Sequence, residues 1–133
     1  MMTDKLSLEN NAAFLAANGK KAGVTTTASG LQIRTLVPGS GKKPGPTQSV
    51  TVHYEGKLID DSVFDSSFKR GETISFRLNQ VIPGWTEGLQ LMSEGETAEL
   101  VIPQDIGYGA RGSGRSIPGY QTLIYKVELH QVG

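Results

Sequence analysis

Cysteine is absent from the 133 residues, which removes disulfides, thiolate metal sites and thiol nucleophiles at once. A dominant charge is missing too, because 13 Lys and Arg balance 13 Asp and Glu. Zero net charge argues against a nucleic-acid binder that works by bulk attraction to phosphate. Long apolar runs are missing as well. Ala12 to Ala17 is only six residues, far short of a membrane span. The same run is a poor signal peptide, since Asp4 and Glu9 sit where positive charge should dominate. A cytoplasmic protein is therefore expected. Histidine is scarce: His53 and His130 stand alone, without a third ligand nearby in sequence, so no metal or other cofactor is expected. No G-x-S-x-G occurs to carry a catalytic triad.

Backbone punctuation is plentiful. Gly (17) and Pro (6) together make 23 of 133 residues, while 37% of the chain is hydrophobic. That suits one compact domain with many turns, large enough to bury a core unaided. Charge is unevenly spread. Residues 1–43 carry six basic and two acidic residues, and from Glu87 to Asp105 there are five acids and no base. The acidic run is expected to be a solvated face.

The stretch Leu8 to Ala17 has helix-forming composition, with Leu8, Ala12 and Leu15 on one stripe, Ser7 as cap, and Gly19 and Gly23 as stops. Thr25 to Gly30 reads as a linker, which puts a boundary near residue 30: a helical extension over 1–28 and the main domain over 29–133. Removing 1–28 is then expected to leave folding nearly intact. Beyond it the pattern has period two. Leu31/Ile33, Val50/Val52/Tyr54, Ile74/Phe76/Leu78, Ala98/Leu100/Ile102 and Leu123/Tyr125/Val127/Leu129 each mark a strand with one buried face. Ile82, Trp85, Leu89 and Met92 instead fall on a helical stripe, with Pro83 suited to its first turn. The fold expected is α+β: an antiparallel half-barrel of five to six strands wrapped around one short helix, with a short N-terminal helix.

Two glycine-rich motifs lead nowhere. Gly107-Tyr108-Gly109-Ala110-Arg111-Gly112 fits G-x-G-x-x-G, but the Ser/Gly/Pro run after it cannot form the helix that a dinucleotide needs. Gly39-Ser40-Gly41-Lys42-Lys43 lacks the first Gly and the Ser or Thr of a phosphate loop. What remains is aromatic: Tyr54, Phe64, Phe76, Trp85, Tyr108 and Tyr125. Phe76 is best read as core. Tyr108, flanked by glycines in a loop, is better read as lining a site.

At these residues the sequence resembles the FKBP family of peptidyl-prolyl cis/trans isomerases. The resemblance rests on Val52-His53-Tyr54-Glu55-Gly56, Phe64-Asp65-Ser66-Ser67, Val81-Ile82-Pro83-Gly84-Trp85, Glu87-Gly88-Leu89, Gly95-Glu96, Tyr108-Gly109 and Leu123 to Leu129. The lead-in through Phe14 to Gln32 resembles bacterial members of the macrophage infectivity potentiator type. In those a long helix follows a dimerisation module, and only its last turns are expected here, implying a monomer. The resemblance implies a pocket with Trp85 as floor and Tyr54, Phe64, Ile74, Val81, Ile82, Ile117 and Tyr125 as walls. Asp65 and Tyr108 would be polar groups at the rim, with Tyr54, Asp65 and Tyr108 assigned to catalysis. The Ile82 N–H would hold a substrate carbonyl. Proline-containing peptides, unfolded or folding proteins, and macrolides of the tacrolimus and rapamycin type are the implied partners. Asp60-Asp61 departs from the family's Asp-Gly hairpin and would make a positive φ costly. Tyr125 adds a hydroxyl where Phe is common. A different class is also compatible with these residues: a chaperone-like module that grips proline-containing segments with little turnover.

Overall fold

The structure is a computed structural model that describes residues 6–133; Asp4, used in the charge reading above, lies outside them. Seven antiparallel strands form one sheet: β1 (Val24–Thr26), β2 (Gln32–Val37), β3 (Ser49–Lys57), β4 (Val63–Ser66), β5 (Ile74–Arg77), β6 (Thr97–Ile102) and β7 (Leu123–Val132). Their order is β1-β2-β6-β7-β3-β4, with β5 also against β3. Every strand read from the period-two pattern is present. In β3, Val50, Val52, Tyr54 and Gly56 point inward and are buried, while their neighbours are half-exposed, as a sheet with one covered face requires.

The helix α3 (Pro83–Gln90) lies on that covered face. Pro83 occupies its first turn, where no N–H is needed. Its contact side carries Gly84 and Gly88. A Cβ on Gly84 would come 2.6 Å from Ile102 Cγ2, and one on Gly88 2.8 Å from Leu100 Cδ1, so the helix rests directly on β6. Trp85, Leu89 and Met92 of the expected stripe are buried in the core. Between β4 and β5 stands one further turn, α2 (Ser67–Arg70), capped by the Ser66 side chain.

Four expectations need correction. Residues 25–30 are not simply a linker, since Val24–Thr26 pairs with β2 as β1. Three β-branched residues in succession favour that extended backbone. The helix α1 (Leu8–Gly19) forms with Ser7 as its cap, but its apolar stripe does not dock: Leu8 is 62% exposed. Asn11 and Asn18 are its buried residues instead. The acidic run is not a plain solvated face either. Glu96 is buried and accepts from Thr35 Oγ1 at 2.8 Å and Ser93 N at 3.0 Å, and Glu94 Oε2 accepts from Val132 N at 2.6 Å. Finally, β6 and β7 do not bury one face alone, since Val101 and Ile124 are buried opposite each other on the other face, and beyond Leu129 the register of β7 shifts. Thr51 faces Gln131 but Val52 faces Leu129, a bulge at His130 that turns Val132 inward.

Candidate active site

An open cleft of about 460 Å³ lies between α3, the strands β3, β4 and β5, and the loop after β6. Trp85 reaches it from the first turn of α3. Tyr54 stands edge-on to the indole, with ring centres 5.2 Å apart and planes at 89°. Tyr125 does the same at 5.1 Å and 88°, and Phe76 lies tilted at 5.2 Å. Edge-to-face packing of this kind rigidifies an apolar floor beyond its burial alone. Trp85 Nε1 is buried with no hydrogen-bond partner among the described residues.

The polar side of the cleft is a three-residue network. The Tyr54 hydroxyl donates to Asp65 Oδ2. Arg70 Nη1 donates to Asp65 Oδ1 at 2.5 Å, and Arg70 Nη2 donates to the Tyr54 oxygen at 3.4 Å. Burial pushes the Tyr54 phenol above its ordinary value, and the hydrogen bond to Asp65 adds to this. For Asp65, burial acts upward, but the bonds from Tyr54 and Arg70 outweigh it and hold the carboxyl below its ordinary value. Burial also drives the Tyr125 phenol far up, reinforced by the phenol of Tyr108. The Tyr54 hydroxyl donates its one hydrogen bond to Asp65, and both oxygens of Asp65 are engaged. Asp65 is therefore held in place from both sides by Tyr54 and Arg70.

Among the residues expected from sequence, Tyr54, Asp65, Ile74, Val81, Ile82, Trp85, Tyr108 and Tyr125 line this cleft. Phe64 does not. It stands behind Tyr125, edge-on at 5.6 Å. Ile117 is likewise buried in the core and absent from the lining. Phe76 and Gln80 line the cleft without having been expected there. Phe76 follows Ile74 on the same face of β5, and that shared face was the available signal. Arg70 was also missed, because only the turn of α2 brings it back to Asp65. The Ile82 N–H has no acceptor among the described residues. His53 and His130, far apart in sequence, meet at 5.7 Å across β3 and β7, with His53 stacked on Phe68. Among the described residues, no group of three His, Cys, Asp or Glu could hold a metal ion. Asp61 does carry the costly positive φ, at 69°.

Comparison with known proteins decides the family. A family model described as FKBP-type peptidyl-prolyl cis-trans isomerase matches residues 40–130. The chain belongs to that family. A second model, the domain amino terminal to FKBP-type peptidyl-prolyl isomerase, matches residues 2–34. This overturns the expectation that the N-terminal module is missing, and removes the ground for expecting a monomer. The chain is 53% identical over 119 residues to the FKBP-type 22 kDa peptidyl-prolyl cis-trans isomerase of Escherichia coli K12, covering 90% of this chain and 58% of that one. It is 48% identical over 132 residues to the outer membrane protein MIP of Legionella longbeachae, covering 97% and 57%. The chain thus spans somewhat over half the length of these curated relatives. A crystal structure of a peptidyl-prolyl cis-trans isomerase from Pseudomonas syringae matches with a TM-score of 0.89 and 40% identity, over 95% of this chain and 92% of that one. The expectation of a cytoplasmic protein does not stand beside the Legionella relative, whose name places it in the outer membrane. No helix of the described residues is long and apolar enough to cross a membrane.

Proposed function

We propose that this chain accelerates cis/trans rotation of X–Pro bonds in peptides and folding proteins, with the aromatic cleft as its site. The observation that carries the reading is the cleft itself: an indole floor boxed by three rings, beside the unpartnered N–H of Ile82. Rotation about an X–Pro bond meets a barrier of roughly 18–20 kcal/mol because amide resonance is lost on the way. The planar amide is more polar than the twisted one, so an apolar cleft raises the ground state more than the transition state. A ~10⁴-fold acceleration needs about 5.5 kcal/mol of such difference. Val81, Ile82, Phe76 and Trp85 exclude water from the ring. The Ile82 N–H and the Tyr108 hydroxyl hold carbonyl oxygens. Tyr54, Asp65 and Arg70 fix the rim, and no covalent step is involved.

The lining residues fall between Tyr54 and Tyr125, inside the segment 29–133 proposed as the isomerase unit. Macrolides of the tacrolimus type would occupy the same cleft. The Legionella relative supports an envelope setting for the chain. A protease-coupled assay with a proline peptide tests the reading. Faster conversion of the cis isomer is expected. Peptide binding without acceleration would replace it with the gripping module.

A further inference from the structure

A second cleft, of about 670 Å³, adjoins the first on the outer side of α3. Val81 lines both. Ile106 borders the second cleft and Tyr108, two residues on, borders the first. The two clefts meet at Val81, the one residue that lines both. A few residues of extended chain, at roughly 3.3 Å each, would carry a peptide from one to the other.

The chemistry of the second compartment suits a polypeptide. Its apolar surface comes from Val81, Pro83, Leu91 and Ile106, and Leu91 is 43% exposed. Most polar groups around it are already committed. Thr86 Oγ1 donates to Leu78 O at 2.5 Å, Gln90 Nε2 to Thr86 O at 2.8 Å, and the Ser29 hydroxyl to Glu87. The Asn79 and Gln80 side chains are different. Both are exposed, neither is engaged among the described residues, and they border the second and first compartments respectively. Each amide offers a donor and an acceptor, as a peptide backbone crossing between them requires. Glu87 is the single charged residue in the lining of the second compartment.

We propose that the substrate chain continues from the proline cleft over Val81 into this second cleft. There it buries an apolar side chain about three residues from the proline, and Glu87 disfavours an acidic one. The proposal rests on the isomerase reading of the first cleft and names what that site selects beyond proline. The occupant is the substrate's own continuation because Val81 lines both clefts and the neighbouring Asn79 and Gln80 border one each.

The test compares a four-residue proline peptide, too short to leave the first cleft, with longer peptides. These carry Leu, Lys or Glu three residues before or after the proline. The long Leu peptide is expected to bind more tightly than the Glu peptide, with Glu87→Gln narrowing that gap. Leu91→Asp is expected to raise KM for the long Leu peptide about tenfold and leave the short peptide unchanged. Amide NMR shifts give a readout independent of turnover: Asn79 and Leu91 should move with the long peptide and not with the short one. Shifts at Leu91 without turnover of either peptide would overturn the isomerase reading and uphold the continuation into the second cleft. Turnover with no such shifts, or with Leu91→Asp affecting neither peptide, would overturn that continuation and leave the isomerase reading intact.

Discussion

On the side of β3 away from β7, pairing with β5 runs as far as Val52 and pairing with β4 resumes at Glu55. Ser67 closes the gap. Its hydroxyl, fully buried, accepts the Tyr54 N–H at 2.7 Å and bonds His53 Nδ1 at 2.6 Å. Ser67→Ala would leave a buried N–H unpaired directly behind a cleft-lining ring. A loss of about 1–3 kcal/mol in urea unfolding is expected, with a smaller fall in isomerase activity as Tyr54 shifts. Trp85 permits a second separation at this scale, being the only Trp in the chain. As floor of the cleft it should change emission when a proline ligand binds. Trp85→Ala should cost about 3–5 kcal/mol, whereas Trp85→Leu should lower activity more than it lowers the unfolding midpoint. Unchanged emission at saturating ligand would place the ligand elsewhere.

Among the elements, α1 shows where sequence patterning misleads. Its composition and its Ser7 cap were legible, yet the face that docks is polar. Asn11 Oδ1 accepts the Thr122 N–H at 2.8 Å and Asn11 Nδ2 donates to Gln121 Oε1 at 3.3 Å. Asn18 Nδ2 donates to Gln32 Oε1 at 2.7 Å, and Gln32 Nε2 returns to Leu15 O at 2.8 Å. Hydrophobic periodicity carries no trace of an amide clasp, because the partners lie over a hundred residues away in sequence at one end of the helix. β3 was readable for the opposite reason: it buries a single face by local alternation, a pattern that β6 and β7 follow apart from the buried Val101 and Ile124. Cleft residues on those strands and on α3 followed, while Arg70 and Gln80 depend on how short turns fold back. The clasp also revises what truncation should do. Deleting residues 1–28 removes β1 and strips Gln32, Gln121 and Thr122 of partners. A destabilisation on the order of 4 kcal/mol is expected, from the four clasp hydrogen bonds at about 1 kcal/mol each. Activity per folded molecule should persist, since every lining residue lies beyond the cut. An unchanged unfolding midpoint would show the clasp to be idle.

For the whole molecule, three cleft groups shape the dependence of stability on pH. Asp65 has its carboxyl held below the ordinary 3.8 in the folded chain. The fold therefore prefers the ionised form, and its contribution is present above 3.8 and lost as pH falls through the lower folded value. The phenols act at the other end. Tyr54 and Tyr125 are both raised above 10.0, so the fold prefers them protonated. Their contribution is complete below pH 10.0 and is lost above it, where the unfolded chain ionises and the folded one resists. Because the same cleft supplies both limbs, stability and site integrity should fail together at either extreme. Urea midpoints measured from acid to alkaline pH should show a plateau with two falling edges. Asp65→Asn should flatten the acid edge, and Tyr125→Phe the alkaline one while sparing the core, because Phe keeps the ring against Trp85 and Phe64. An alkaline edge that is as steep in Tyr125→Phe as in the parent chain would mean that the buried phenol is not what gives way.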